Sequence, residues 1–217
     1  MYVFVIVAAG LALGLIVWGI VGGALDIGWL YRQPTPMPDP PSRAELQAHA
    51  KDELQHGWMM CFEEEDFIRA QDALDAVDRA YLPSDDFAVL DAARAWCEAN
   101  LGTIDKAIYM ARVAIGEARP DLIRARASAL AVFGAIQVRA GNSHAALEPL
   151  QEAVRIADDP GHAALAAFYL GEALTAIGRP DEARVAWEGA SRSSPATRHA
   201  LLAGERLAAL AVMSPYR

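Results

Sequence analysis

Apolar residues are distributed in three different ways along this chain of 217 residues. From Met1 to Leu25 no charged side chain interrupts them, and about 20 apolar residues suffice to cross the hydrocarbon core of a membrane. Residues 32–41 are rich in proline, whereas residues 42–217 place apolar residues at helical spacing among polar ones. The pattern predicts an all-α chain with a single transmembrane helix in 1–31, a linker in 32–41 and a helical domain in 42–217.

The apolar segment predicts a single-pass protein of the inner (plasma) membrane. A cleaved signal peptide is the alternative, but such peptides have a basic start and a shorter apolar stretch. No Lys or Arg precedes the segment, whereas Arg32 and Arg43 follow it. Because basic residues are enriched on the cytoplasmic side of membrane segments, this difference favours a cytoplasmic helical domain. A periplasmic domain remains the alternative.

Four glycines of the apolar segment have the spacing at which two membrane helices can approach closely. Gly10 and Gly14 lie one helical turn apart, as do Gly19 and Gly23. Small residues at this spacing form packing faces between transmembrane helices. Glycine is also common in membrane helices that have no such contact, so both interpretations stay open.

The linker contains five prolines within residues 32–41. Proline cannot continue a helix and favours an extended polyproline conformation with a rise of about 3.1 Å per residue. The segment is therefore expected to be a semi-rigid spacer between the anchor and the helical domain. A docking site for proline-binding domains is the alternative.

A unit of helix, turn and helix recurs after the linker. It starts at a capping box, in which Ser42 stands three residues before Glu45. Four turn positions follow one another at intervals of 37, 39 and 37 residues, namely Glu65, Gly102, Gly141 and Gly178. The three glycines predict helix ends at which the backbone adopts a positive φ.

The two C-terminal units have the most regular sequences. Small and large residues recur in the last unit at Leu170, Gly171, Leu174, Gly178, Ala183, Trp187, Ala190 and Pro195, and in the preceding one at Leu130, Gly134, Gln137, Gly141, Ala146, Leu150 and Ala153. This pattern resembles the tetratricopeptide repeat family. The resemblance implies a tetratricopeptide-like α-solenoid of about four helix-turn-helix repeats, with a final helix from Ala196 to about Met213 as its cap.

The resemblance also implies a binding surface, because the inner faces of the first helices form a groove in that family. Seven residues would form the groove here: Met59, Phe62, Trp96, Ala135, Val138, Glu172 and Thr175. Met, Phe and Trp side chains are typical anchors for a helix or an extended segment of a partner protein. The same side chains could instead form the core between repeats.

The charge of the chain narrows the class of partner. Lys and Arg number 19 against 28 Asp and Glu, a formal net charge of -9. Nucleic acid is therefore not expected to bind, because its affinity depends on neutralising phosphates.

The chain has two cysteines, Cys61 and Cys97, for which two unpaired thiols or one disulfide are both possible.

No pattern typical of catalysis or metal binding occurs in the sequence. The five histidines lack the spacing of zinc ligands, and the run Glu63–Asp66 is expected to be a solvated corner. No enzyme activity, metal or cofactor is predicted.

The sequence favours a membrane-tethered scaffold or adaptor that recruits partner proteins through the groove. The alternative is a permanent accessory subunit of a larger membrane complex, packed through its transmembrane helix.

Overall fold

A computed structural model describes residues 39–213 of the chain. The predicted transmembrane segment 1–31, with Gly10, Gly14, Gly19 and Gly23, lies outside the described residues, as does most of the linker. Within 39–213, no helix is both long enough and apolar enough to cross a membrane. Every regular element in this part of the chain is helical, and it contains no strand.

Nine α-helices follow one another between residues 39 and 213. They are α1 (Arg43–Met59), α2 (Phe67–Ala76), α3 (Phe87–Leu101), α4 (Ile104–Glu117), α5 (Ile123–Arg139), α6 (Ser143–Ile156), α7 (Pro160–Ala176), α8 (Pro180–Ser193) and α9 (Arg198–Met213). A π-helical turn, Met60–Glu64, extends α1, and a 3-10 turn, Ser84–Asp86, precedes α3.

The helices pack with a repeating order. Each odd-numbered helix from α1 to α7 contacts the even-numbered helix after it, and each even-numbered helix contacts the odd-numbered helix that follows. The odd-numbered helices also contact one another in sequence, from α1 against α3 to α7 against α9. This stacking of helix pairs is the arrangement of an α-solenoid, and the prediction of an all-α solenoid is confirmed.

Three of the helix boundaries have the local causes that the sequence indicates. The Ser42 hydroxyl accepts a hydrogen bond from the Glu45 amide, and the Glu45 carboxylate accepts one from the Ser42 amide, which completes the capping box at α1. Gly141 and Gly178 have φ angles of 79° and 76°, as predicted. The prediction is wrong for Gly102, whose φ is -119°. There the helix ends after a last bond from the Gly102 amide to the Glu98 carbonyl.

Within the helix pairs, a small residue on the first helix lies against a large one on the second. A Cβ on Gly134 would lie 2.4 Å from the Leu150 side chain, and one on Gly171 would lie 2.3 Å from the Trp187 indole. Gly57 has the same relation to Leu74. In the second pair the corresponding positions are Ala95 and Ala111, both fully buried. In this second pair the residue on the first helix, Ala95, already carries a Cβ, and the residue opposite it is the small Ala111 instead of Leu or Trp.

The first and last elements of the solenoid are in contact. The backbone N–H of Arg198, at the start of α9, donates a hydrogen bond of 2.7 Å to the Glu63 carboxylate of the π-helical turn. The Arg198 guanidinium donates a second bond, also 2.7 Å, to Glu65. The run of acids at 63–66 is thus more than a solvated corner, because two of its members hold the C-terminal helix.

Candidate functional site

The inner faces of the odd-numbered helices converge on a cluster of rings, called here the aromatic cluster: Phe62, Trp96, Phe168, Tyr169 and His199. Phe62 stacks on Trp96 with ring centroids 5.7 Å apart. Tyr169 meets Trp96 edge-on at 5.6 Å, and His199 lies 5.7 Å from Tyr169. All five side chains are buried or partly buried, so they fill the interior of the solenoid.

The seven predicted groove residues are distributed over several environments. Phe62 and Trp96, which the structure brings together, are only 3% and 5% exposed. Ala135 is fully buried, and Val138 is partly buried. The groove positions of α7 differ, since Glu172 pairs with Arg206 of α9 at 2.9 Å and Thr175 is exposed. Met59 is 44% exposed at the end of α1.

These positions determine which predicted residues a partner could contact. A partner that approaches this conformation can reach Met59 and Thr175, whereas Phe62, Trp96 and Ala135 lie below the surface. The structure therefore does not present the seven residues as one continuous open wall. Their role in binding a partner stays a prediction.

A cleft of about 490 Å³ opens beside the aromatic cluster, between α1 and the N-terminal ends of α3, α5, α7 and α9. We call it the α1 cleft. Its apolar wall consists of Leu54, Trp58, Met59 and Val89, and its polar lining includes Lys51, Gln55, Glu63, Asp86, Arg124, Asp159 and His162. Met59 is the one groove residue of the sequence-based prediction that lines it. Trp58 and the other lining residues were not predicted.

His162 forms the floor of the α1 cleft. Its ring lies edge-on to the Trp58 indole with centroids 4.8 Å apart, and its side chain is almost fully buried. The Ser128 hydroxyl oxygen lies 3.1 Å from Nε2 and 3.3 Å from Nδ1. Burial is the main cause that lowers the pKa of His162 below its usual value, against the opposing charge of Asp159. The imidazole is therefore neutral at pH 7.

Ser128, His162 and Asp159 have the residue types of a catalytic triad, but their geometry is that of a structural cluster. The Ser128 hydroxyl donates a hydrogen bond of 2.9 Å to the carbonyl of Arg124, one helical turn before it. Ser128 is also fully buried, so no substrate carbonyl can reach its oxygen. Asp159 caps α7 by accepting a bond of 2.9 Å from the His162 amide. These contacts fix the start of α7 against α5.

The negative charge of the described residues is concentrated at the N-terminal end of the solenoid. Residues 39–101 contain 15 acidic and 5 basic side chains, a net charge of -10. Residues 102–213 contain 12 of each and are neutral. The net charge of -9 for the whole chain does not show this difference between the two segments. Counting acidic and basic residues separately for each segment of the sequence reveals it. The excess of acidic residues therefore belongs to the segment that contains α1, α2 and α3, and of these three helices α1 and α3 line the α1 cleft.

Within residues 39–213, no group of three or more histidine, cysteine, aspartate or glutamate side chains is placed to hold a metal ion. Comparison of the chain with protein-family models, with curated proteins and with solved structures finds no match.

Proposed function

We propose that this chain is a membrane-tethered adaptor that binds partner proteins through its helical domain. The observation that carries the proposal is the α1 cleft, where the exposed Met59 and the partly exposed Trp58 lie beside the acidic helices α1 to α3. Large apolar side chains at the mouth of a cleft are typical anchors for a protein segment. The anchor in 1–31 would hold the domain at the inner membrane.

Charge complementarity suggests what kind of segment binds. An excess of ten negative charges on residues 39–101 favours a basic partner and disfavours an acidic one. The occupant we propose is a basic segment of another protein that places an apolar side chain against Met59 and Trp58. Its affinity should fall as salt is added, because charges on exposed surfaces are screened.

We infer in addition that the helix pairs are tetratricopeptide-like. The inference is supported by the intervals between the turn positions and by the glycines that lie against Leu150 and Trp187. It differs from the usual picture of the family in one respect. The predicted inner groove is occupied by the aromatic cluster, so we assign the binding surface to the α1 cleft.

The proposal is tested by placing a photo-cross-linking amino acid at position 59 of the full chain in its native membrane. Val185 on α8 is the matched control, because it is 57% exposed and is not among the residues that line the cleft. We expect adducts with one or a few proteins from position 59 and none of these from position 185. A synthetic peptide from the cross-linked region should then bind the purified chain in a salt-dependent manner. Equal adducts from both positions, or none from position 59, would contradict the proposal.

The second candidate function is that of an accessory subunit held in a complex through its membrane helix. It is favoured by the spacing of Gly10 with Gly14 and of Gly19 with Gly23. Replacing residues 1–31 by an unrelated membrane anchor distinguishes the two functions. An adaptor that binds through the α1 cleft keeps its partner after the exchange, whereas a subunit packed through the glycines loses it.

A further inference from the structure

We propose that Cys61 and Cys97 are a disulfide site that joins the π-helical turn to α3. The two sulfur atoms are 3.0 Å apart, although 36 positions separate the residues in the sequence. Both side chains are buried, and both are free thiols in this structure. Two cysteines that belong to different elements and face each other at this distance can be linked with little movement of the backbone.

The contacts around the thiols fix their orientation. The Cys61 thiol lies 3.9 Å from the carbonyl oxygen of Ala93, and Cys97 stands one helical turn after that residue on α3. The Cys61 side chain is thus directed at one face of α3. A bond between the two sulfur atoms, about 2.05 Å long, requires them to approach by about 1 Å. Adjustment of the short π-helical turn can supply this shift.

The two thiols have different acidities. The hydrogen bond with Cys61 holds the pKa of Cys97 below its ordinary value, and burial partly opposes this effect. The hydrogen bond with Cys97 and burial both raise the pKa of Cys61. Disulfide exchange starts from a thiolate, and the two buried sulfur atoms become accessible to an external disulfide only when the π-helical turn opens.

The oxidant in the proposed reaction is a disulfide, either of a small thiol or of an oxidising protein. When the π-helical turn opens, one of the two protein thiols loses its proton, attacks one sulfur of this disulfide, forms a mixed disulfide and releases one thiolate. The other protein thiol, after losing its proton, then attacks the protein sulfur of the mixed disulfide and displaces the second thiolate. The two protein thiols are oxidised, the external disulfide is reduced to two thiols, and the two protons go to the released thiolates.

The position of this site determines its effect on the molecule. The π-helical turn contains Phe62 of the aromatic cluster and Glu63, which binds the start of α9. A covalent bond from this turn to α3 would hold both contacts in place. It would also restrict the unfolded chain over a loop of 36 positions, which stabilises the folded state. The inference is independent of the proposed function.

The site is tested on the full chain, purified in mild detergent and fully reduced. The folded chain is incubated with oxidised glutathione, once without and once with a low urea concentration that opens the π-helical turn. The reaction is quenched with acid, and the chain is unfolded and treated with a maleimide polymer. In at least one of the two incubations we expect a chain that takes up no label and has a mass lower by two hydrogens than the reduced chain. Its melting temperature should be higher than that of the reduced chain by roughly 5 °C.

Two variants serve as controls. Cys97→Ser should leave one thiol that accepts label or glutathione, and the Cys61→Ser/Cys97→Ser chain should keep its melting temperature under oxidation. Two labelled thiols in both urea conditions, or two glutathione adducts, would overturn the proposal. A cross-link that lowers the melting temperature, or one that joins two chains, would also overturn it.

Discussion

The Glu63 carboxylate accepts a hydrogen bond of 2.7 Å from the backbone N–H of Arg198, although 135 positions separate the two residues. The first amides of a helix have no partner within the helix, and a carboxylate there also favours the helix dipole. Glu63 thus acts as an N-terminal cap supplied from the opposite end of the domain. The first helix pair and the last helix are thereby joined through an acidic side chain.

The Glu63→Gln substitution tests this cap. The amide keeps a hydrogen-bond acceptor but loses the negative charge, so we expect a loss of about 0.5–1 kcal/mol in the free energy of unfolding. Hydrogen exchange should become faster in the first turn of α9. Urea denaturation and mass-resolved hydrogen exchange measure the two effects. Glu64→Gln is the control, because Glu64 is an exposed neighbour, and a loss of equal size there would contradict the interpretation.

The Gly171→Ala substitution tests the packing of small against large residues. Its new Cβ would lie 2.3 Å from the Trp187 indole nitrogen, and an indole ring cannot deform. We expect a loss of stability of about 1–3 kcal/mol, measured by urea or thermal unfolding. Gly189→Ala on α8 is the matched control. Nothing lies within 4 Å of that position, so alanine should stabilise the helix by about 0.5–1 kcal/mol. A neutral result at Gly171 would show that the indole moves aside.

Stability is expected to decrease in mild acid because of His199. Burial among the rings of the aromatic cluster lowers the pKa of His199 to about 4, with a smaller contribution from Arg198. The folded state therefore favours the neutral imidazole, whereas an unfolded histidine has a pKa of about 6.5. The stabilisation is complete above pH 6.5 and is lost as the pH falls from 6.5 towards 4.

Urea unfolding at a series of pH values between 7.5 and 4.5 measures this effect. We expect His199 to contribute about 2–3 kcal/mol to the decrease. The His199→Phe chain should show a shallower pH dependence, with the remaining slope due to His162 and the carboxylates. An identical slope in the two chains would mean that His199 is protonated in the folded state without penalty.

Alanine substitutions at two predicted groove residues should differ strongly in their effect on stability. Trp96 is buried in the aromatic cluster, so Trp96→Ala should lower the free energy of unfolding by roughly 3–5 kcal/mol. Met59 is exposed at the cleft, so Met59→Ala should change it by less than about 0.5 kcal/mol and weaken partner binding. Circular dichroism during urea unfolding measures the free energies of unfolding of both variants. A stable Trp96→Ala chain that has lost its partner would favour the original groove.

The sequence predicts the repeat units well because their causes are local. Three of the four turns contain a residue in the left-handed conformation, namely Gly141, Gly178 and Glu65, which has a φ of 56°. The spacing of Gly134 and Leu150 follows from helix geometry within one pair. Gly102 shows the limit of this reasoning, since a glycine permits a positive φ but does not require one.

The candidate site could not be predicted in the same way. Whether Phe62 and Trp96 line an open groove or fill a closed interior depends on the rotation between successive helix pairs, summed over the whole solenoid. The sequence of a single helix pair does not determine this accumulated rotation. The contacts of Arg198 with Glu63 and of Trp58 with His162 arise only after several pairs have stacked. The α1 cleft is therefore a property of the assembled domain rather than of a motif.

The contact between α9 and the π-helical turn also constrains how this domain can evolve. An open solenoid can gain or lose a unit by gene duplication or deletion, since each unit contacts only its neighbours. Here one added unit of 37 to 39 residues would carry Arg198 away from Glu63 and Glu65 and leave Phe62 without His199. Relatives that keep this ring of contacts should therefore all contain the same number of units.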